Sequence, residues 1–338
     1  MSKHSSYSKR IIGQAGIVSW GQLSFSHPTL AGLELPYFDI EAPQPGPKLA
    51  IIAGMHPNEV SAMEAALRLK NYFADQLVHG SVSILPVLNM PGLYLHSEFV
   101  CPEDNKNINF LSPGDPQGSF SEVLIDSVLN SWAKEAAVFI DLHGGDLRED
   151  VAKFVMCQQI GDGEFDNITR SLAHQFDADA IVEFAVDQTN NRGRATNELP
   201  WLGRHAVMSE GGANGILDEE NIQFHFNGVA NIARQLGLTQ GAKQIRTRRN
   251  IVVDNFDKIE APVSGRWYLD IAAGEQVSRG QRLGVIKNLY GEWVADIIAP
   301  FSGLILMIVN HNIINQGEWL ISLAPTPAGS LTELKLWN

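Results

Sequence analysis

Short apolar runs rich in β-branched residues alternate with segments of helical length between about residues 48 and 237. Alternation of this kind is typical of an α/β domain in which crossover helices join parallel strands. The runs predict six strands, at residues 48–54, 81–88, 137–143, 153–158, 180–184 and 204–210. Helical spacing of apolar residues predicts helices at residues 58–73, 120–134 and 221–236. We therefore expect a mostly parallel central sheet flanked by helices, after a β-rich lead-in of about 45 residues.

A short motif repeats near the C-terminus, beyond a basic segment at residues 241–250 that we interpret as a solvated linker. APVSG at residues 261–265 recurs as APFSG at residues 299–303, which predicts a small quasi-symmetric β domain. The pattern resembles the barrel-sandwich hybrid of biotinyl and lipoyl carriers, but the stretch where a carrier needs its lysine offers Glu292 and Trp293. The predicted domains are therefore residues 1–250, linker included, and a non-carrier β domain with a tail at residues 251–338.

Length, charge and hydropathy favour a two-domain protein and argue against nucleic-acid-binding and membrane-spanning proteins. The 338 residues exceed the roughly 250–300 at which one hydrophobic core stops growing, which favours two domains. A formal charge of −13 would repel a phosphate backbone and argues against nucleic acid as a partner. The apolar run at residues 304–309 is far shorter than the roughly 20 residues of a membrane span. The chain has two cysteines and no secretory signal pattern, so we expect a cytoplasmic protein. We expect its partner to be a small-molecule substrate, and the protein could form a homo-oligomer.

The segment GMHPNEVSA places His56 and Glu59 directly after a predicted strand and at the start of a predicted helix. Spacing of i, i+3 would bring both side chains to one face of the first helical turn. An imidazole and a carboxylate so arranged can bind one Zn²⁺ ion together. The alternative is that these two polar residues only cap the helix.

Two further strand ends carry polar residues of the same kind. His143, in DLHGG at residues 141–145, ends a buried strand and would be a third metal ligand, leaving the fourth position of a zinc ion open. Asp141 points the same way along the strand and would hold a ligand imidazole in one tautomer. Glu210, at the end of another apolar strand, is the expected general base, although it could instead cap the glycine-rich turn that follows.

The combined pattern resembles the succinylglutamate desuccinylase and aspartoacylase family, which is related to zinc carboxypeptidases. It consists of H-x-x-E, 83 intervening residues, a histidine, and a later glutamate at a predicted strand end. The resemblance implies a carboxypeptidase-like α/β fold with a C-terminal β domain, one zinc ion held by His56, Glu59 and His143, and Glu210 as the catalytic glutamate. It implies a zinc-dependent hydrolase that cleaves the amide bond of a small N-acyl amino acid or amine. A zinc peptidase of the carboxypeptidase type and a non-catalytic binding homologue remain alternatives. The β domain is expected either to cover the zinc site with its loops or to serve as a structural scaffold.

The long segment at residues 88–120 departs from the family pattern. Asn109 fits, but Glu98 and Phe110 occupy the two positions where relatives carry arginines that grip the substrate carboxylate. These replacements favour an amine-bearing or neutral N-acyl substrate, with Phe110 offering its face to an apolar or cationic group. Three arginines on other loops could restore the lost charge: Arg148, Arg192 and Arg194.

Overall fold

The computed structural model describes residues 8–13, 16–186, 192–244 and 250–326. Their strands, β1 to β18 in chain order, are Ser8–Gly13, Gly16–Ser24, Glu34–Glu41, Gln44–Ala53, His79–Leu85, Val138–His143, Glu149–Gln158, Ala180–Phe184, His205–Ala213, Ile251–Val253, Asp257–Glu260, Gly265–Leu269, Gln276–Val277, Arg282–Lys287, Trp293–Ile298, Gly303–Val309, Ile313–Ile314 and Trp319–Pro325. Their α-helices, α1 to α6, are Val60–Gln76, Met90–Leu93, Phe120–Ser127, Gly163–Ala173, Ala195–Glu198 and Glu219–Gln235.

A fourteen-stranded sheet runs through the molecule, and its main path is β1-β2-β3-β5-β4-β6-β9-β7-β16-β18-β11. Strands β5, β4, β6 and β9 at its centre are mutually parallel, whereas β1 to β3 join as an antiparallel lead-in. Every residue of β6 is buried, as expected for a strand covered on both faces. The predicted α/β class, with a mostly parallel centre flanked by helices, is confirmed.

Side chains of β4 alternate between two hydrophobic cores on opposite faces of the sheet. Leu49 and Ile51 belong to the core shared with helices α1 and α6. Ala50 and Ile52 belong to the core shared with α3. Burial of each leucine or isoleucine side chain stabilises the fold by about 1.5–3 kcal/mol. The alternation fixes which face of the sheet each side chain of β4 covers, and the parallel pairing of β4 with β6 brings the loops after both strands to the same end of the sheet.

The predicted helices and strands occur with shifted bounds, and three α-helices were not predicted: α2, α4 and α5. The helix expected at residues 120–134 ends as α3 at Ser127 and continues as a π-helical turn, Val128–Trp132. Helix α4, Gly163–Ala173, was not expected, although Asp162 supplies an N-cap by accepting hydrogen bonds from the next turn. Among the described residues, no helix is long and apolar enough to cross a membrane.

The repeated motif near the C-terminus leads into a strand in both copies, β12 after the first and β16 after the second. Strands β15, β14, β12 and β17 form a separate antiparallel sheet. Strand β16 instead pairs antiparallel with β7, with Met307 opposite Val151, so this region continues the central sheet. Residues 245–249 of the predicted linker and the tail from residue 327 lie outside the described residues.

Candidate active site

The loop after β4 carries His56 and Glu59, and helix α1 begins only after it. The helix was expected from residue 58, but Val60 is its first residue, so the two side chains do not share a helical turn. Glu59 is the N-cap residue, with φ −79° and ψ 63°, and its side chain makes no capping hydrogen bond. This non-helical backbone lets the carboxylate turn away from the helix and towards the two histidines.

The side chains of His56, Glu59 and His143 meet at the carboxyl ends of β4 and β6. His56 Nδ1 lies 2.7 Å from Glu59 Oε1, and His143 Nδ1 lies 3.0 Å from Glu59 Oε2. The two imidazole centroids are 4.9 Å apart. All three residues are buried, His143 completely. The sequence therefore brings together, from two strand ends, the group predicted to bind a metal.

The two glycines after His143 allow the backbone of β9 to approach closely. A Cβ atom on Gly145 would lie 2.5 Å from the carbonyl oxygen of Gly212, which is too short for any side chain. Asp141, fully buried, places Oδ1 3.2 Å from His143 Nε2, the nitrogen that faces away from Glu59. A carboxylate at this distance can orient a ligand imidazole.

Asn107 performs the matching role for His56, and sequence reasoning missed it. Its Oδ1 lies 3.0 Å from His56 Nε2 and also accepts a hydrogen bond from the backbone of Asn109. Asn107 belongs to the long segment at residues 88–120, where no strand end or periodicity marks it. Its only sequence signal is its position two residues before Asn109, which does fit the family pattern.

Burial and mutual attraction oppose each other at these three groups. Burial alone would raise the pKa of Glu59, but the two imidazoles outweigh it and lower the pKa to about 2. Burial would likewise lower the pKa of His143, yet the carboxylates of Asp141 and Glu59 raise it well above its ordinary value. The site therefore strongly favours a negative carboxylate next to positive charge.

The donor set fits a divalent metal. In the described part of the chain, Glu59 Oε2 and both ring nitrogens of His143 are buried and have ion-pair contacts at 3.0 and 3.2 Å, but none of these contacts has the geometry of a hydrogen bond. Leaving such atoms unpaired costs about 1–3 kcal/mol each, which a bound cation would offset. The ligand atoms of His56, Glu59 and His143 all lie within 4.8 Å of one another. Two imidazoles and one carboxylate suit a catalytic zinc ion.

Glu210 lies next to this group because β9 runs parallel to β6, with Glu210 paired to His143 in the register. It is partly buried and faces the same cavity as His56 and Glu59. Burial raises the pKa of Glu210 to about 8, the negative charge of Glu59 adds to the shift, and His143 opposes it. A carboxyl group with a raised pKa in a cavity can hold and release a proton near neutral pH.

A cavity of about 280 Å³ opens over these residues. One face of β7 forms its floor, and the C-terminal strands β16 and β18 form a wall. The side chains concerned are mostly apolar: Val151, Phe154, Met156, Met307, Val309 and Trp319. The expected cover from C-terminal loops is therefore provided largely by strand residues, which the antiparallel pairing of β16 with β7 brings to the site.

Two of the three arginines considered as replacements line the cavity. Arg194 is buried and lies over the ring of Phe110, with its Cζ atom 4.6 Å from the ring centroid. Arg148 also reaches the cavity but is bonded to Glu98 and, at 2.7 Å, to Glu318. The face of Phe110 that was expected to meet the substrate is thus used by an arginine of the protein.

Of the remaining residues that were predicted to bind substrate, one lines the cavity and two do not. Asn109 lines the cavity and is buried, and its Oδ1 has no hydrogen-bond partner within the described residues. Glu98 and Arg192 fall outside the described lining, and Arg192 is bonded to Glu198. Further charged or aromatic residues in the lining were not foreseen from the sequence: Glu149, Lys258, Trp319 and Glu318.

Comparison with known proteins supports the resemblance. The model of the succinylglutamate desuccinylase/aspartoacylase catalytic domain matches residues 45–236, more than half of the chain. An N-alpha-acetyl-L-2,4-diaminobutyric acid deacetylase from Halomonas elongata is 26% identical over 256 residues, which are 75% of this chain and 74% of that one.

Solved structures show the same fold over nearly the whole chain. The ectoine utilization protein EutE from Ruegeria pomeroyi superposes with a TM-score of 0.81 at 20% identity, covering 96% of this chain and 100% of that one. A succinylglutamate desuccinylase from a Silicibacter species gives a TM-score of 0.80 at 20% identity, covering 96% and 99%. With the family model matched across the segment that carries His56, Glu59, His143 and Glu210, the chain belongs to the succinylglutamate desuccinylase/aspartoacylase family.

Proposed function

We propose that this protein is a zinc-dependent deacylase that hydrolyses the amide bond of a small N-acyl amino acid or N-acyl amine. The observation that carries the proposal is the buried group of His56, Glu59 and His143 beside Glu210 in one cavity. The Halomonas relative, a deacetylase of an N-acetylated diamino acid, supports the reaction class.

The metal-binding group and Glu210 have different tasks in the proposed reaction. When bound by His56, Glu59 and His143, a zinc ion supplies Lewis-acid activation of water and of the amide carbonyl. Glu210 takes the proton of the attacking water and gives it to the nitrogen that leaves as an amine. The raised pKa of Glu210, about 8, favours the stage at which its carboxyl group holds that proton.

Arg194 and Asn109 are the residues we assign to substrate positioning. The guanidinium of Arg194 is buried over Phe110, and no carboxylate within the described residues is bonded to it. A substrate carboxylate can therefore form the charge-assisted hydrogen bonds that this guanidinium lacks. The free Oδ1 of Asn109 can accept a hydrogen bond from an N–H group of the same substrate.

The dimensions of the cavity favour a small acyl compound over a peptide. The volume of about 280 Å³ lies just below the roughly 300–1,000 Å³ that is common for ligand pockets. A panel of N-acetyl and N-succinyl amino acids, set beside peptides with free C-termini, tests the proposal through release of the free amine. We expect hydrolysis of at least one N-acyl amino acid, lost with a chelator and restored by zinc. Release of C-terminal residues from peptides, without deacylation, would make the protein a peptidase.

A further inference from the structure

Four carboxylates line the cavity, and three of them have an assigned partner or task. Glu59 belongs to the metal-binding group, and Glu210 is the proposed general base. Glu318 is bonded to Arg148, at 2.7 Å, and accepts a hydrogen bond from the backbone of Asn315. Glu149 is the fourth.

Glu149 has no cationic partner among the residues that the structure describes. The one hydrogen bond of its side chain there is long, 3.4 Å from the backbone N–H of Asp146. Burial raises the pKa of Glu149 to about 7, the negative charge of Glu59 adds to the rise, and His56 only partly opposes these two effects. Both effects mean that the ionised carboxylate is under-compensated where it stands.

The surroundings of Glu149 would strengthen a contact with a cation. Glu149 and Val151 line the cavity from the same face of β7, since they are two residues apart on a strand. Val309 is paired with Glu149 and Met307 with Val151, and both side chains also line the cavity. Apolar walls exclude water, so an ion pair formed beside them is worth more than one at the surface.

The cationic side chains that line the cavity differ in whether a carboxylate of the protein is bonded to them. Arg148 is bonded to two carboxylates, and the Nζ atom of Lys258 lies 3.8 Å from the ring centroid of Trp319. Arg194 contacts Phe110 and has no bonded carboxylate in the described part of the chain. Glu149 is therefore the one carboxylate of the lining with no assigned partner, and Arg194 and Lys258 are the lining cations with no bonded carboxylate in the described part of the chain.

We propose that Glu149 binds a free ammonium group of the substrate and determines specificity for N-acyl derivatives of diamino acids. The carboxylate of such a substrate meets Arg194, its side-chain ammonium meets Glu149, and its methylene groups lie on the apolar floor. The inference rests on the proposed deacylase function and adds to it the charge pattern of the substrate.

The experiment compares two substrates of equal shape. Nα-acetyl-2,4-diaminobutyrate carries an ammonium group where Nα-acetylnorvaline carries a methyl group. For the zinc-loaded wild-type protein, we expect kcat/KM to favour the diaminobutyrate derivative by about 10²-fold, as is typical of a buried charge-assisted hydrogen bond. In Glu149→Gln the preference should fall to within about 3-fold, through a rise in KM for the amine-bearing substrate.

Glu318→Gln is the matched control, because it removes a carboxylate from the same cavity that already has its cation. It should change kcat/KM for both substrates by the same factor and keep the preference. A preference retained in Glu149→Gln, or absent from the wild-type protein, overturns the inference while deacylation itself stands.

Calorimetric binding of the products separates this inference from the proposed function. Wild-type protein should bind 2,4-diaminobutyrate more tightly than norvaline, and Glu149→Gln should bind the two alike. If no N-acyl compound of the panel is hydrolysed, the deacylase proposal fails, and the binding difference still decides the role of Glu149. Equal binding of both products by the wild-type protein contradicts that role.

Discussion

The guanidinium of Arg194 lies over the ring of Phe110, 4.6 Å from Cζ to the ring centroid. Phe110 stands where the family pattern carries an arginine, so the cation reaches the cavity from another loop. Gly193 makes this possible, since a Cβ atom there would lie 2.5 Å from the carbonyl oxygen of Phe110. The backbone N–H of Ser112 also donates to the carbonyl of Gly193, at 2.7 Å, which holds the two segments together. A substrate carboxylate can thus be bound although the expected arginine is absent from the long segment.

Arg194→Ala should lower kcat/KM for an N-acetyl amino acid by about 10²-fold, because a charge-assisted hydrogen bond to the substrate carboxylate is lost. The same change should have little effect on the decarboxylated N-acetyl amine, measured in the same assay. Arg192→Ala is the control, since Arg192 is bonded to Glu198 and lies outside the described lining. Equal losses on both substrates would point to a structural role for Arg194.

His143→Ala should remove the metal. One zinc ion per chain is expected in wild-type protein purified without added metal, because the imidazole of His143 and the carboxylate of Glu59 have buried atoms without a hydrogen-bond partner among the described residues. Elemental analysis of both proteins measures the zinc content. His311→Ala, at an exposed position, should retain the ion. Full occupancy in His143→Ala would exclude His143 as a ligand.

Glu210→Gln should keep the zinc content and thermal stability of the wild-type protein but lose about 10²–10⁴-fold in kcat, the usual worth of general acid–base catalysis. An amide matches the shape and hydrogen bonds of the carboxyl group but cannot carry its proton. Turnover on a confirmed substrate, measured beside metal content, checks the expectation. A variant as fast as wild type would require another base.

His225 should make the fold sensitive to acid. It is fully buried, Ser209 bonds its Nδ1 at 2.8 Å, and Nε2 donates to the carbonyl of Gly211 at 3.2 Å. Burial lowers its pKa from 6.5 to about 4. The unfolded chain therefore takes up a proton below pH 6.5 that the folded chain refuses, and stability is lost as the pH falls from 6.5 to 4.

The loss corresponds to about 3 kcal/mol over that interval, at about 1.36 kcal/mol for each pH unit. Urea unfolding at pH 7 and at pH 4.5 measures it. His225→Gln should show a smaller difference between the two pH values, because glutamine does not titrate. An unchanged difference would assign the acid sensitivity to other groups.

Local sequence patterns were sufficient to locate the group predicted to bind the metal. His143 ends β6, Glu210 lies in the last half of β9, and each is followed by a glycine pair, so both signals are contained within a few neighbouring residues. The start of α1 was predicted two residues too early. The spacing of apolar residues shows which face of the helix is buried, but it does not show that the backbone of Glu59 is non-helical.

The residues of the cavity wall could not be predicted in the same way. Glu149, Lys258 and Trp319 meet because β7, β11 and β18 lie in one sheet, and β16 joins them across a large separation in sequence. No spacing rule connects residue 149 with residue 309. Arg194 was one of three arginines that the sequence could not rank, since only the structure shows which of them pairs with a neighbouring carboxylate.

Pairing between β16 and β7 also sets the order in which the working cavity appears during synthesis. His56, Glu59, His143 and Glu210 have all left the ribosome before Val309, the partner of Glu149. At about 5–20 residues per second, the interval lasts on the order of ten seconds. Throughout it, the start of β7 lacks β16, one of its two neighbouring strands, and the site has no C-terminal wall. The nascent chain thus holds its reactive groups before it holds the wall that confines a substrate against them.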